Sequence, residues 1–167
     1  MKEVRPTSGR VLLALFNILG PVEGRSFLDL FAGTGRVGLE ALKRGARPVM
    51  WVESVRARAQ AIRQEAPEDA GVLDLELRRA VAWLLKRGRT FDVIFADPPY
   101  HEGWGAELLG VKGLKDLLAP EGLLVVEHSV REPLVLTEAW AQGPEAAGKL
   151  LRERDYGETR LSFLSAG

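Results

Sequence analysis

Cysteine is absent from this 167-residue chain. Disulfides, thiolate metal sites and cysteine nucleophiles are therefore excluded. Histidine is scarce: His101 and His128 stand far apart in sequence, so no metal centre is expected. Long apolar runs are missing too. Residues 11–16 and 122–126, among the longest, fall far short of the ~20 residues of a membrane span. Residues 1–10 are polar, which argues against a secretory signal. The expectation is a cytoplasmic globular protein, a monomer, with no membrane partner. Net charge is also missing, since 23 basic residues match 23 acidic ones. The balance hides a split. Residues 1–96 carry 16 Lys/Arg against 11 Asp/Glu, and residues 97–167 carry 7 against 12. Such a chain is not built for promiscuous nucleic-acid binding, yet its first part can hold a local phosphate-binding face.

What is present is enough apolar residue, 46%, to bury a core at a length that fits one domain. Helix and strand patterns alternate along it. Ser8-Gly9 precede an apolar-periodic stretch that stops at Gly20-Pro21, as a helix does. Strands are predicted at 26–31, 48–53, 72–77, 91–96 and 123–127. Helices are predicted at 37–44, from an N-capping Ser54 to about residue 66, at 80–86 and at 107–118. Residues 150–154 and 160–164 read as an antiparallel hairpin turning at Gly157. The fold class is therefore α/β: a doubly wound, mostly parallel seven-stranded sheet with an antiparallel C-terminal hairpin. Residues 1–167 form one domain, with 1–24 as an N-terminal helical extension. Ligands of such sheets bind beyond the carboxyl ends of the strands, where strand order reverses. That places the site at residues 29–36, 53–54, 79–80 and 97–104.

Gly33, Gly35 and Gly38 spell G-x-G-x-x-G between the first strand and the following helix. The spacing alone is weak; its position supplies the required context. Glycines there let a ligand approach the backbone, and a helix N-terminus offers N–H groups. Glu53, ending the second strand, can accept both hydroxyls of a ribose, which fits NAD and S-adenosylmethionine equally. Asp29 separates the two. A carboxylate in this wall suits an ammonium group, such as that of S-adenosylmethionine, and repels a pyrophosphate.

The second motif is Asp97-Pro98-Pro99-Tyr100, directly after the fourth strand. An acidic or amide residue, two prolines and an aromatic in this order occur by chance in about half a percent of chains this long. The prolines stiffen the loop. Asp97 presents a carboxylate, Pro98 a carbonyl and Tyr100 an aromatic face. Together they suit a planar exocyclic amine. Accepting both of its N–H hydrogens turns the nitrogen lone pair toward an electrophilic methyl, while Tyr100 stacks on the base. Strand four is expected beside strand one, which brings the two motifs within one strand spacing of ~4.8 Å.

Residues 29–35 with Asp97–Tyr100 resemble the class I S-adenosylmethionine-dependent amino-methyltransferases, whose fold is Rossmann-like. Arg5-Pro6-Thr7, Arg10, Leu15-Phe16-Asn17, residues 38–42 and Tyr156-Gly157-Glu158-Thr159-Arg160-Leu161-Ser162 narrow the match. The whole set is similar to the bacterial RsmD-like family, which methylates the N2 amine of a guanine in 16S ribosomal RNA. The resemblance implies S-adenosylmethionine as cofactor, and ribosomal RNA or an assembling small subunit as partner. It places Asp29, Phe31, Ala32, Gly33, Thr34 and Gly35 along the methionine end of the cofactor and Glu53-Ser54 at its ribose. Arg79-Ala80 fall at its adenine, and Thr7 and Arg10 near the cleft or the RNA. Asp97, Pro98, Pro99 and Tyr100 form the catalytic loop. Two departures stand out. Only Met1–Val4 precede Arg5, where the family has a Gly-rich hairpin. Arg79 stands where Asp or Asn is usual, and arginine has donors only. Competing readings are an N6-adenine methyltransferase acting on DNA or RNA and a non-catalytic nucleotide-binding RNA-assembly module.

Overall fold

The computed structural model describes residues 7–68, 70–140 and 149–166. Helix α1 (Gly9–Leu19) begins where Ser8 accepts from the Val11 N–H and ends where Gly20, at φ 70°, donates to Phe16. Its apolar stripe, Val11, Leu12, Leu15 and Phe16, is buried. There follow β1 (Phe27–Leu30), α2 (Arg36–Lys43), β2 (Val49–Val52), α3 (Arg56–Glu65), β3 (Gly71–Leu73), α4 (Leu77–Lys86), β4 (Phe91–Ala96) and the short α5 (Trp104–Glu107). Strands β5 (Leu118–Ser129), β6 (Lys149–Tyr156) and β7 (Thr159–Ser165) complete one seven-stranded sheet of order β3-β2-β1-β4-β5-β7-β6. The first five strands of that order pair in parallel, and β7 lies antiparallel between β5 and β6. Chain order reverses between β1 and β4, so the expected switch point is there. No helix among the described residues is long and apolar enough to cross a membrane.

Strand residues alternate between two cores. Phe27, Val49, Trp51, Val93, Phe95 and Val125 face α1, α2 and α3. Leu28, Leu30, Met50, Val52, Ile94, Ala96, Leu124 and Val126 face α4 and the segment after α5. Both faces are covered, which is why the strands read as near-continuous apolar runs.

Four expectations need correction. No helix spans 107–118. The chain makes α5 and two 3₁₀ turns, Leu108–Gly110 and Lys115–Leu117. Gly113, at φ 86° and packed on the Leu85 side chain, interrupts any longer helix. Strand β5 starts at Leu118, because Phe91 already pairs there before the register shifts. Strand β3 is short and α4 starts at Leu77, because the Glu76 carboxylate caps the Arg79 N–H. Ser54 does not cap α3: Val55 is the cap residue, and the Glu53 carboxylate takes its N–H at 2.7 Å.

Gly38 is fixed by packing. A Cβ there would lie 2.3 Å from Nε1 of buried Trp51, whose N–H bonds the Gly35 carbonyl at 3.0 Å. Gly38→Ala therefore forces the ring or α2 to move, and should cost about 1–3 kcal/mol. Gly9→Ala, where the nearest atom is 3.7 Å away, should be neutral or slightly stabilising. Urea unfolding of the two variants checks this pair; equal midpoints would show that the Trp51 contact does not constrain position 38.

Candidate active site

The alternation that builds the two cores also sorts the acids. Asp29, Glu53, Asp97 and Glu127 all fall on the α1–α3 side of the sheet, at its carboxyl edge, one each from β1, β2, β4 and β5. Leu30 pairs with both Val52 and Ala96, and Ala96 with Val126, so Glu53, Asp97 and Glu127 stand at the same level, one residue further on. Asp29 lies one residue deeper than that pairing level. Glu53 and Glu127 are buried and Asp97 is half-buried.

Backbone donors make the first two carboxylates possible. Asp29 is 1% exposed and its Oδ2 accepts from the Gly38 N–H at 2.9 Å. Burial pushes its carboxyl up to about 8; the Gly38 hydrogen bond opposes the shift and the neighbouring Glu53 charge adds to it. Glu53 accepts from Gly33 through Oε1 at 2.8 Å and from Val55 through Oε2 at 2.7 Å. The remaining glycine amide, Gly35, bonds the Ala32 carbonyl. All three motif glycines thus donate within the protein. This corrects the expectation that these amides await a ligand. A pyrophosphate would find their donors used and two carboxylates behind them. Each carboxylate oxygen keeps a further lone pair, so Glu53 can still accept ribose hydroxyls and Asp29 an ammonium. The residues present therefore fit S-adenosylmethionine better than a dinucleotide. Phe31, at φ 53°, turns the chain out of β1, Ala32 bonds Val52, and Thr34 is exposed at the loop.

Across the switch point, the Asp97 N–H approaches the Leu30 carbonyl at 3.5 Å, which sets the second motif beside the glycine loop. Pro98 is buried and Pro99 exposed. The Tyr100 hydroxyl lies 3.3 Å from Thr159 Oγ1 on β7. His101, at φ 65°, donates its N–H to Glu132 Oε1 at 2.7 Å. Buried His128 steadies the same corner. Its Nδ1 sits 2.9 Å from the Glu132 carbonyl and 3.1 Å from that of Ser129, so Nδ1 carries the proton, and Nε2 accepts from Ser162 at 2.7 Å. Burial keeps this imidazole below the usual histidine range. The C-terminal hairpin thus walls the loop that carries Asp97–Tyr100.

Thr7 is buried beside the row: its hydroxyl donates to Glu127 at 3.2 Å, and its carbonyl accepts from Arg36 at 2.6 Å. Arg10 is exposed, 5.7 Å from the Tyr156 ring. Arg5 lies outside the described residues. Arg79 is exposed on the outer side of α4 and Ala80 is in the core beneath it. Their side chains do not join the row. Sequence reasoning missed Glu127, Glu132 and Thr159. Glu127 had a visible signal, an acid directly after an apolar strand run, as at Val52-Glu53 and Ala96-Asp97. Glu132 and Thr159 act through a loop and a hairpin register that no local pattern encodes. Among the described residues, no group of His, Asp and Glu could hold a metal ion.

Ribosomal RNA small subunit methyltransferase D of Escherichia coli is 37% identical over 156 residues, covering 92% of this chain and 79% of that protein. The protein of the same name from Haemophilus influenzae is 31% identical over 163 residues, covering 92% and 82%. The structure of the T. thermophilus 16S rRNA N2 G1207 methyltransferase RsmC, solved with AdoMet and guanosine, superposes with a TM-score of 0.71 at 27% identity. It covers 99% of this chain and 44% of that one. The family described as Conserved hypothetical protein 95 matches residues 1–165, and the chain belongs to that family.

Proposed function

We propose that this protein transfers a methyl group from S-adenosylmethionine to the N2 amine of a guanine in small-subunit ribosomal RNA. The observation that carries the reading is the carboxylate row: Asp29 and Glu53 for the cofactor stand on the same face as Asp97 for the acceptor. The cofactor, when bound, supplies an electrophilic methyl on a cationic sulfur. Asp29 and Glu53 hold the ends of that ligand and fix where the methyl lies. Asp97 and the Pro98 carbonyl accept the amine hydrogens, orient its lone pair and stabilise the positive charge that grows on nitrogen. Tyr100 carries the base, its ring held by Thr159. Guanine is preferred over adenine because relatives of this chain are named for small-subunit rRNA methylation, and one was solved with guanosine.

Asp97→Ala should leave S-adenosylhomocysteine affinity nearly unchanged and slow methyl transfer by about 10²–10³, the usual cost of one oriented group aimed at a transition state. Asp97→Asn should retain more activity, because an acceptor oxygen survives. Tyr100→Ala should cost roughly 1–3 kcal/mol of base stacking, and Tyr100→Phe, which keeps the ring and loses the Thr159 bond, should be milder. Single-turnover methylation of a ribosomal particle lacking the modification measures all four. Wild-type turnover by Asp97→Ala would remove Asp97 from the acceptor site.

Asp29 gives a pH signature. Its folded pKa of about 8 exceeds the ordinary value of 3.8, so the folded state binds the extra proton between those limits. Its contribution to stability is complete below pH ~4 and is lost as pH rises toward 8. Asp29→Asn should remove that slope, and the mutant should gain on wild type as pH rises. A ligand ammonium favours the anion, so binding expels the proton. S-adenosylhomocysteine affinity should therefore rise with pH up to ~8, by at most about tenfold per unit. Calorimetry in buffers of different ionisation enthalpy reads the released proton; a pH-independent affinity would separate Asp29 from the ammonium.

A further inference from the structure

Helix α4 carries a run of cations on its outer face. Arg78 and Arg79 occupy its first turn, just inside the capping carboxylate of Glu76. From Arg79 a stripe continues at helical spacing through Trp83, Lys86 and Arg87. With Leu75 and Ala82 these residues line a groove of about 660 Å³ that contains three cations and no carboxylate. The Arg87 guanidinium lies over the Trp83 ring, 3.6 Å from its centroid, and donates to the Trp83 carbonyl at 3.2 Å. Stacking fixes the plane of the guanidinium and leaves its other N–H groups for an anion.

Two observations distinguish this face from ordinary solvated surface. Among the described residues, no acid forms an ion pair with the side chains of Arg79, Lys86 or Arg87, whereas Arg78 beside them pairs with Glu107, and Arg44, Arg131 and Arg160 each have an acidic partner. The face is also continuous with the site. Arg78, which also pairs with Glu107 at 3.3 Å, lies 5.2 Å over the Trp104 ring, and Trp104 meets Phe31 of the glycine loop edge-on at 5.0 Å. A track of aromatic and cationic groups therefore leads from the switch point onto α4.

The geometry points to the outer face of α4 as the surface on which the phosphodiester backbone of the RNA substrate lies while the target base occupies the acceptor site. Arg79 to Lys86 spans about 10 Å of helix axis, room for more than one phosphate. Arg79 accordingly serves the RNA and not the cofactor's adenine. Charge complementarity selects a polyanion, and the inference rests on the methyl-transfer reading above.

The test uses Ala82→Glu, which places an acid in the groove at an exposed helical position, and the double variant Lys86→Gln with Arg87→Gln. Each is assayed with wild type on a small ribosomal particle lacking the methyl group, with S-adenosylhomocysteine calorimetry as a control for folding. The expected result is a KM for the particle raised about tenfold, with kcat and S-adenosylhomocysteine affinity within about twofold of wild type. For the double variant, the slope of log affinity for small-subunit ribosomal RNA against log salt should shrink by about one to two, as for two lost phosphate contacts. Unchanged KM and salt slope, with wild type active, overturn the docking surface alone. Wild-type failure to methylate the particle overturns the methyl-transfer reading and this inference with it. A change in KM without a change in salt slope assigns the face to a ribosomal protein and also overturns the RNA contact.

Discussion

A carboxylate removed from water needs donors, and here the main chain supplies them. Glu53 accepts from Gly33 and from Val55, so one side chain ties the loop after β1 to the start of α3. Asp29 accepts from Gly38 and so ties β1 to α2. Trp51 closes the arrangement by bonding the Gly35 carbonyl from the neighbouring strand. The glycine loop is therefore shaped by side chains of the sheet before any ligand arrives. The same bonds set the ligand's sign. Amides that would otherwise hold phosphate are used, and the surface behind them is acidic, so cationic ligands are favoured.

Much of this was legible in the sequence because it is periodic or local. Alternating apolar runs and turn residues gave the sheet, its covered faces and the hairpin at Gly157. Position relative to strand ends located Asp29, Glu53 and Asp97. Failures arose where distant contacts override local preference. Residues 107–118 have a helical pattern, yet Gly113 packed on Leu85 and the tie of residue 118 to Phe91 divide them into turns and a strand start. Ser54 has the chemistry of a cap, but α3 starts one residue later, where the Glu53 carboxylate holds the N–H of Val55, the residue in the cap position. The partnership of Tyr100 with Thr159 depends on β7 lying between β5 and β6, a register that no window of sequence contains.

The hairpin explains why a doubly wound sheet here ends in antiparallel strands. β7 pairs with β5 over seven residues and brings Thr159 to the level of Ser129, beyond the carboxyl ends of the parallel strands. Thr159 meets Tyr100 there, and the Glu158 carbonyl takes the Val130 N–H. Arg131 with Glu158, and Arg160 with Asp155 and Glu153, reinforce the turn. Such exposed pairs are individually weak. Their collective effect is directional, since they fix the loop after β5 and, through Glu132, the residue that follows Tyr100.

An acidic row and the proposed RNA substrate pose an electrostatic problem. The carboxylates at one sheet edge, Glu53, Asp97 and Glu127, repel a polyanion, and at physiological salt that repulsion decays over ~8 Å. Distance resolves it. Acids gather at the strand ends, where a cationic cofactor fits. Arginines of the N-terminal part lie outward, on α1 at Arg10, on α2 at Arg36 and on α4. In the C-terminal part, Arg131 and Arg160 are held in pairs with acids of the hairpin. The backbone of an approaching RNA is thus attracted at the periphery, while only a single uncharged base need enter the acidic centre. On the proposed function, a net charge of zero then reflects two opposed fields, an acidic one that suits a cationic cofactor and a basic one that suits a polyanion.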